Sequence, residues 1–590
     1  NKIIFNDASQ FIQGASATVL DIAATDEIEL TATLIEIVGN STISGTLGVT
    51  GALTTSSTIN TLGMTGPKTN FANGILISGD AGTGTLSSAD NNTGVGTGVF
   101  GALTSGDQNV AVGHNALDLN TTGSNNVAIG ALSLDANTTG ACNIGIGTSA
   151  LGANTDGGLN TAVGFRAAAS TTTGDRNTIF GADAYRCNVE ASDNTGFGYQ
   201  ALHCITSGHN NVAVGNALCK TTTGLYNIGV GSGAASSNTT GSANVAVGRI
   251  ALTTNTTGSN NVAIGCCALK SNTTANDNTA VGHESLKLNT TGAGNVAVGD
   301  SALTTNTTGT RLVAVGQNAM KLSTTASDSV MIGTTAGDAI TTGTSNTGVG
   351  SDVMSATTTG DKNVALGVSA LGTNTTGDNN TALGFFSLLA STTANDNTAV
   401  GFCSLRSNTT GTQNVALGSY TLDANTTASQ NVAIGFDALS ITQTADSNVA
   451  IGFESARNTT TASNNTAVGF CSLRGNTTGG ANVAIGSCAL KANTTGVHNT
   501  AVGKDALDAN TSGGYSVAVG SGALSAQTTG ANNVAVGRTA LADLTTGTRN
   551  TVVGGSYALG AGANITTGYH NVIVGNDAAG TMTEGHNNTV

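Results

Sequence analysis

A five-residue pattern, Asn-Val-Ala-Val-Gly or a close variant, recurs along this chain every 17 residues. Its closing glycine stands at Gly96, Gly113 and Gly130 and then at the same interval almost to the end. The interval is one residue shorter before Gly231 and four residues longer before Gly575, and both changes fall between copies of the pattern. Helical repeats need about 33 residues or more, whereas this shorter period suits one turn of a β-solenoid. The sequence therefore predicts an all-β fold, a parallel β-solenoid of about 29 coils.

The pattern has the two-residue alternation of a β-strand. In Val110-Ala111-Val112 the two valines share one face and the alanine takes the other. We expect the valines, with the leucine of the Ala-Leu pair that follows, such as Leu117, to fill the coil interior. The alanine column then lies outside, where small side chains suit close packing against another chain. A plain small-residue exterior is the alternative.

Asparagine and glycine recur at two fixed places in each coil, which predicts ladders and turns. Stacked coils place each residue above its equivalent at a spacing of ~4.8 Å. Asn109, Asn120 and their equivalents would therefore form two amide ladders. The glycines that follow the strand and the Thr-Thr pair predict corners that need positive φ or close backbone approach. Stacking at this spacing predicts a rod on the order of 140 Å long.

Residues 1–91 do not follow the repeat, so we divide the chain into a β-rich shaft or adaptor segment, 1–91, and the solenoid, 92–590. Strands are expected over residues 27–30 and 34–38, and residues 44–53 alternate apolar and small polar residues, as strands do. The last residues, Asn588-Thr589-Val590, open a further copy of the pattern that stops mid-strand. We therefore expect the natural chain to continue.

Composition argues against two classes of partner. The net charge of −15 comes from sparse acids, without a cluster of Lys or Arg and with few aromatic residues, so we expect no nucleic-acid partner. No stretch approaches the roughly 18 consecutive apolar residues of a membrane-spanning helix, so we expect no membrane insertion of this segment.

Two stretches resemble known families. Residues 43–53 read Ile-Ser-Gly-Thr-Leu-Gly-Val-Thr-Gly-Ala-Leu and resemble the shafts of phage tail fibres. The Asn-Val-Ala-Val-Gly and Asn-Val-Ala-Ile-Gly patterns resemble the head repeats of trimeric autotransporter adhesins, over most of the chain. The second resemblance implies a homotrimer of β-solenoids that reaches and adheres to a glycan or protein receptor on a cell surface. The adhesin-head repeat is shorter, because here the Asn-Thr-Thr-Gly segment lengthens each coil.

One column of variable residues carries candidate chemistry. The second residue after the pattern glycine reads, on five successive coils, Asp437, Glu454, Cys471, Cys488 and Asp505. Neighbours about 5 Å apart would bind a metal or, for the two carboxylates Asp437 and Glu454, act as an acid/base pair. We favour a water-facing column, because the coils are too uniform to wall a cleft and the seven histidines are scattered. We therefore predict no enzyme activity, no catalytic, cofactor-binding or metal-binding residue and no cofactor.

The nine cysteines include two pairs in the same register on adjacent coils. Cys187 lies one period before Cys204, and Cys471 lies one period before Cys488. A separation of about 5 Å between Cα atoms is within disulfide range, so both pairs are possible disulfides. Free thiols are the alternative for each pair.

The leading functional hypothesis is a structural, adhesive fibre: a rigid extracellular, cell-surface or virion-borne rod for attachment to cells. A subunit of a polymeric extracellular filament is the main alternative. An ice-binding protein is less favoured, because the adjacent threonines Thr121 and Thr122 diverge instead of sharing a face. A polysaccharide depolymerase is also less favoured and would use Asp437 and Glu454.

Overall fold

A computed structural model describes residues 2–4, 11–16, 19–23, 63–65, 74–78, 86–555, 561–562 and 564–590. The chain forms two compact units, Asn1–Thr61 and Leu62–Val590. Strands and turns make up the described ranges, which contain no helix. It follows that these ranges hold no helix with the length and hydrophobicity to cross a membrane.

The first unit contains a small antiparallel sheet. Strand β1 (Lys2–Ile4) pairs with β2 (Phe11–Ser16), which pairs in turn with β3 (Val19–Ala23). The second unit opens with β4 (Gly63–Thr65), antiparallel to β5 (Ile75–Ser78). The stretches 27–30, 34–38 and 44–53, which the sequence predicts to be β-structure, lie outside the described residues.

Thirty strands, beginning with β5, form one parallel sheet in which each strand pairs with the next along the chain. Val110 pairs with Val127, one 17-residue period later, which confirms the predicted parallel β-solenoid. The sheet also reaches into the predicted adaptor segment, because Ile75 pairs with Thr93. The strands after β5 are β6 (Thr93–Val95), β7 (Val110–Val112), β8 (Val127–Ile129), β9 (Ile144–Ile146), β10 (Thr161–Val163), β11 (Thr178–Phe180), β12 (Thr195–Phe197), β13 (Val212–Val214), β14 (Ile228–Val230), β15 (Val245–Val247), β16 (Val262–Ile264), β17 (Thr279–Val281), β18 (Val296–Val298), β19 (Val313–Val315), β20 (Val330–Ile332), β21 (Thr347–Val349), β22 (Val364–Leu366), β23 (Thr381–Leu383), β24 (Thr398–Val400), β25 (Val415–Leu417), β26 (Val432–Ile434), β27 (Val449–Ile451), β28 (Thr466–Val468), β29 (Val483–Ile485), β30 (Thr500–Val502), β31 (Val517–Val519), β32 (Val534–Val536), β33 (Thr551–Val553) and β34 (Val572–Val574).

The strands turn towards the coil interior the face that the sequence was expected to place outside. Ala111 is fully buried, whereas Val110 and Val112 are partly exposed, and the other strands from β6 on also bury their middle residue. The predicted valine interior and alanine exterior are therefore wrong. Leu117 does lie inside the coil, as predicted.

The reason is the narrow coil interior. Where Gly348 replaces the alanine, an added Cβ would lie 2.6 Å from the Met331 sulfur of the preceding coil. Met331 itself stands in an alanine position, and its coil carries Gly337 in place of the usual leucine. A larger side chain at one inward position is thus offset by a smaller one at another, as dense core packing requires.

Both predicted amide ladders are present and buried. In the first, the main-chain N–H of Asn126 donates to Oδ1 of Asn109 at 2.9 Å, and Asn126 Nδ2 donates to the Gly140 carbonyl at 2.9 Å. In the second, Asn137 Nδ2 donates to Oδ1 of Asn120 at 2.8 Å. These bonds satisfy buried polar groups at the two corners that would otherwise destabilise each coil.

The predicted glycine corners are confirmed, with a difference between the two. Gly113 has a φ of 137°, and a Cβ there would lie 2.6 Å from the main chain of the next coil. Gly123, after the Thr-Thr pair, has no positive φ. Glycine is needed there because the Gly140 carbonyl of the next coil leaves no room for a Cβ. Left-handed φ occurs instead at three non-glycine positions, represented by Asn115, Leu117 and Asn125, which the sequence did not reveal.

Replacing one strand-end glycine by alanine is expected to destabilise the stack locally. At Gly316 the φ is 136°, and a Cβ would overlap the carbonyl oxygen of Gly333. We expect Gly316→Ala to cost about 2 kcal/mol, from strained backbone and displaced coils. Hydrogen exchange of the flanking strands β19 and β20 measures the loss.

Gly294→Asn is the matched control for this substitution. Gly294 has a φ of 70°, which asparagine tolerates, and the nearest atom to an added Cβ is Arg311 Cγ at 3.9 Å. Exchange should be unchanged in this variant. Equal exchange in both variants and the parent would show that the strand-end corner does not need glycine.

Candidate functional site

The predicted column of carboxylates and thiols is only partly open to solvent. The side chains of Asp437 and Glu454 are 15% and 14% exposed, so the expected water-facing column is wrong for these two residues. An arginine lies over each of these two carboxylates, and each arginine stands nine residues after the first asparagine of its own coil. Arg457 Nε is 3.3 Å from Asp437 Oδ2, and Arg474 Nε is 2.7 Å from Glu454 Oε2.

These contacts make the two carboxylates part of an ion-pair network. Arg457 also approaches Glu454 Oε1, at 3.7 Å, and so bridges adjacent coils. Each carboxylate is thus already paired with a guanidinium group. The geometry therefore supports a role in tying coils together and gives no support to an acid/base pair.

The thiols of the same column are not bonded to each other. Cys471 is buried and Cys488 partly buried, and both are free. The Cys471 thiol donates to Glu454 Oε2 at 3.8 Å, and burial raises its pKa. A thiol with a raised pKa is a poor nucleophile at neutral pH. The Cys471–Cys488 disulfide stays a prediction.

The structure brings together three side chains that the sequence did not associate. Cys187, His203 and Cys204 place their Sγ, Nδ1 and Sγ atoms within 4.8 Å of one another. His203 Nδ1 lies 4.0 Å from Cys187 Sγ and 3.4 Å from Cys204 Sγ. Within the described ranges this is the single such group of His, Cys, Asp and Glu side chains. We call it the Cys-His group.

Register explains why sequence reasoning missed the Cys-His group. In the sequence His203 is one of seven scattered histidines, and its equivalent on the next coil is Cys219. His203 precedes Cys204, and the main-chain N–H of Cys187 donates to the His203 carbonyl at 3.0 Å. The signal was therefore present, in a residue next to the predicted cysteine pair. The Cys187–Cys204 disulfide also stays a prediction, since both thiols are free in the structure.

Burial is the main influence on the pKa of His203 and on that of Cys204. It lowers the pKa of His203, with a smaller contribution from Arg186, and so favours a neutral imidazole. It also raises the pKa of Cys204, to which the neighbouring Cys187 adds. These shifts favour a neutral His203 ring beside a protonated Cys204 thiol at neutral pH.

An extended, mostly apolar surface is formed by the first and third residues of strands β6 to β34, which we call the outer sheet face. Both positions carry only Val, Ile, Leu, Thr or Phe along all of these strands, without one charged residue. Many are exposed, including Ile264, Leu366 and Ile485. The surface runs unbroken because every strand pairs with the next.

Aromatic residues widen the outer sheet face over part of its length. Phe385 and Phe402 stack with ring centroids 5.5 Å apart, and Phe453 and Phe470 do the same at 5.5 Å. Each directly follows a strand-end glycine and is exposed. The apolar strip therefore extends past the strands on these coils.

Neither a protein-family model nor a curated protein matches the chain. The resemblances to tail-fibre shafts and adhesin heads thus rest on the quoted residues and stay predictions. The fold and its surfaces are the basis for assigning a function.

Proposed function

We propose that this chain is a structural fibre protein whose copies associate through the outer sheet face. The observation that carries the proposal is the composition of that face over strands β6 to β34, where the third residue of every strand is Val, Ile, Leu or Phe and the first is Val, Ile or Thr. A water-exposed strip of this kind is costly to leave uncovered. A second copy of the chain presents the same period and the same apolar columns, and so matches it along its full length.

The size of the face supports association. Three residues at ~3.3 Å each, repeated over the strands at ~4.8 Å spacing, give a surface of roughly 1,400 Å². The largest apolar patch on a typical monomer is about 300–600 Å². A standard protein interface covers about 800 Å² on each partner. The face is therefore large enough for a stable contact between copies.

The contact surface differs from the one expected from sequence. The alanine column was the predicted association surface, but it is buried inside each coil. The valine, isoleucine and threonine columns take its place. The resemblance to trimeric adhesin heads favours three copies around a common axis, which closes the assembly.

The proposed biological role is a rigid extracellular, cell-surface or virion-borne rod that serves attachment to a glycan or protein receptor. Uniform coils that repeat one surface suit a spacer. The main alternative is a subunit of a polymeric extracellular filament, in which copies join end to end.

Mass measurement and electron microscopy together test the proposal. Light scattering of the full chain is expected to give the mass of three copies, and micrographs are expected to show discrete rods. Filaments of indefinite length would favour the polymeric alternative. A single-chain mass at high concentration would overturn association through the outer sheet face.

The two less favoured functions gain little support from the structure. The Thr121 hydroxyl donates to the Thr138 carbonyl at 2.9 Å, so the hydroxyls of one of the two threonine columns form hydrogen bonds between coils. Only the second column, with Thr122, lies exposed. Measurable thermal hysteresis would revive ice binding. Glycan cleavage that is abolished by substitution of Asp437 or Glu454 would revive the depolymerase.

A further inference from the structure

The Cys-His group lies in an irregular part of the repeat. The coil that contains Cys187 replaces the usual Asn-Thr-Thr-Gly by Asn188-Val189-Glu190-Ala191. A buried tyrosine, Tyr185, occupies the usual leucine position of this coil. Two coils further on, the spacing between first-ladder asparagines falls to 16 residues. Three of the nine cysteines, Cys187, Cys204 and Cys219, lie in these coils.

The interatomic distances match those of a tetrahedral site. Zinc bonds of about 2.3 Å to sulfur and about 2.0 Å to nitrogen place two ligand atoms roughly 3.5–3.8 Å apart. The Nδ1 distances of 3.4 Å to Cys204 Sγ and 4.0 Å to Cys187 Sγ bracket this range. The two Sγ atoms also lie within 4.8 Å of each other, so the three atoms are close enough for side-chain rotation to bring them to one ion.

We propose that Cys187, His203 and Cys204 bind one zinc ion, through the two Sγ atoms and Nδ1 of the imidazole. Two thiolates and a neutral imidazole are ligands that zinc prefers. On binding, each thiol loses its proton to solvent, so two protons are released and no oxidation occurs. The two thiolates balance the charge of the ion.

The fourth coordination position faces solvent and is taken by water. Cys187 is exposed, and His203 and Cys204 are partly buried, so one side of the group is open. Cys219 lies on the next coil, where its carbonyl accepts from the Cys204 main-chain N–H at 2.9 Å. Its thiol instead donates to Asn216 Oδ1 at 3.0 Å, so Cys219 is not a ligand.

The ion would join two adjacent coils in an irregular part of the repeat. Cys187 belongs to one coil, and His203 and Cys204 belong to the next. Because metal binding requires the folded arrangement, it stabilises that arrangement. The site therefore cross-links two adjacent coils of the solenoid. This role goes beyond the proposed fibre function and does not depend on it.

Cobalt titration of the full chain, kept reduced and freed of metal by a chelator, tests the site. One equivalent of Co²⁺ is expected to produce a thiolate-to-cobalt charge-transfer band, which Zn²⁺ then removes by displacement. Cys187→Ser and Cys204→Ser are each expected to lose the bound equivalent. Cys142→Ser and Cys219→Ser are the matched controls and are expected to retain it.

Alkylation of the unaltered chain gives a second readout that does not depend on any variant folding. Zinc should protect Cys187 and Cys204 from the reagent, while the exposed Cys142 still reacts. Absence of the cobalt band, when mass spectrometry shows both thiols to be free, overturns the proposal. Full binding by both the Cys187→Ser and the Cys204→Ser chain also overturns it.

Discussion

Three glutamates placed on the outer sheet face are expected to convert the assembly into single chains. The substitutions are Ile264→Glu, Leu366→Glu and Ile485→Glu. These side chains are 39%, 50% and 40% exposed in the single chain, so the changes leave the coil interior intact. They lie at least six coils apart, which keeps the new charges from repelling one another within one chain.

The expected effect is large because each carboxylate would be buried against apolar residues of another copy. An unpaired charge in such a contact costs on the order of 2 kcal/mol or more. Three of them would weaken association by roughly ten-thousandfold. Light scattering over a range of concentrations measures the change in mass, and circular dichroism confirms that the solenoid is retained.

A second triple variant controls for added charge alone. Leu119→Glu, Leu288→Glu and Leu322→Glu replace leucines of similar exposure that lie on turns, away from the outer sheet face. This chain should keep the mass of the parent. If both variants lose association alike, general repulsion is the cause and the outer sheet face is not the contact surface.

Much of the fold could be predicted because the repeat fixes the register. Once Asn109 and Asn126 are known to be equivalent, stacking them predicts their ladder without further information. The strand face that points into the coil could not be predicted in the same way. An alternation such as Val110-Ala111-Val112 assigns two faces but does not say which is inside. The space left by neighbouring residues decides it, as the tight contact between Gly348 and Met331 shows.

The candidate sites were less predictable because they join different columns. Stacking equivalent residues predicted the closeness of Cys187 and Cys204 but could not place His203, which lies in the adjacent column. The ion pairs of Arg457 and Arg474 with Glu454 likewise cross columns. Their side-chain directions depend on left-handed residues such as Glu454, with a φ of 51°, which the sequence pattern does not reveal.

Replacing one ladder asparagine by aspartate is expected to destabilise the solenoid strongly at neutral pH. Asn380 is fully buried. Its Nδ2 donates to Asn363 Oδ1 at 3.1 Å and to the Ala394 carbonyl at 2.8 Å. In Asn380→Asp, a carboxylate oxygen would face these two acceptors. Burying a charge with lost donors costs about 3–5 kcal/mol.

The loss should depend on pH in a defined direction. Burial and the facing oxygens raise the pKa of the new carboxyl in the folded chain above its unfolded value of about 3.9. The free-energy cost of the buried charge is therefore absent below the unfolded pKa and grows as the pH rises through the folded pKa. Thermal unfolding of the variant should approach that of the parent near about pH 4 and fall well below it near about pH 8.

Asn464→Asp separates the effect of the ladder from the effect of the charge. Asn464 is exposed and has a φ of 63°, which aspartate tolerates. This variant should unfold within about 0.5 kcal/mol of the parent at both pH values.

Since the first ladder already tolerates Leu312 in place of asparagine, loss of an amide is survivable where an apolar side chain fills the space. The aspartate variant is thus the sharper test, because it keeps the shape of asparagine and replaces the amide donor by a carboxylate oxygen. If Asn380→Asp unfolds like the parent at both pH values, the ladder is a consequence of stacking and not one of its causes.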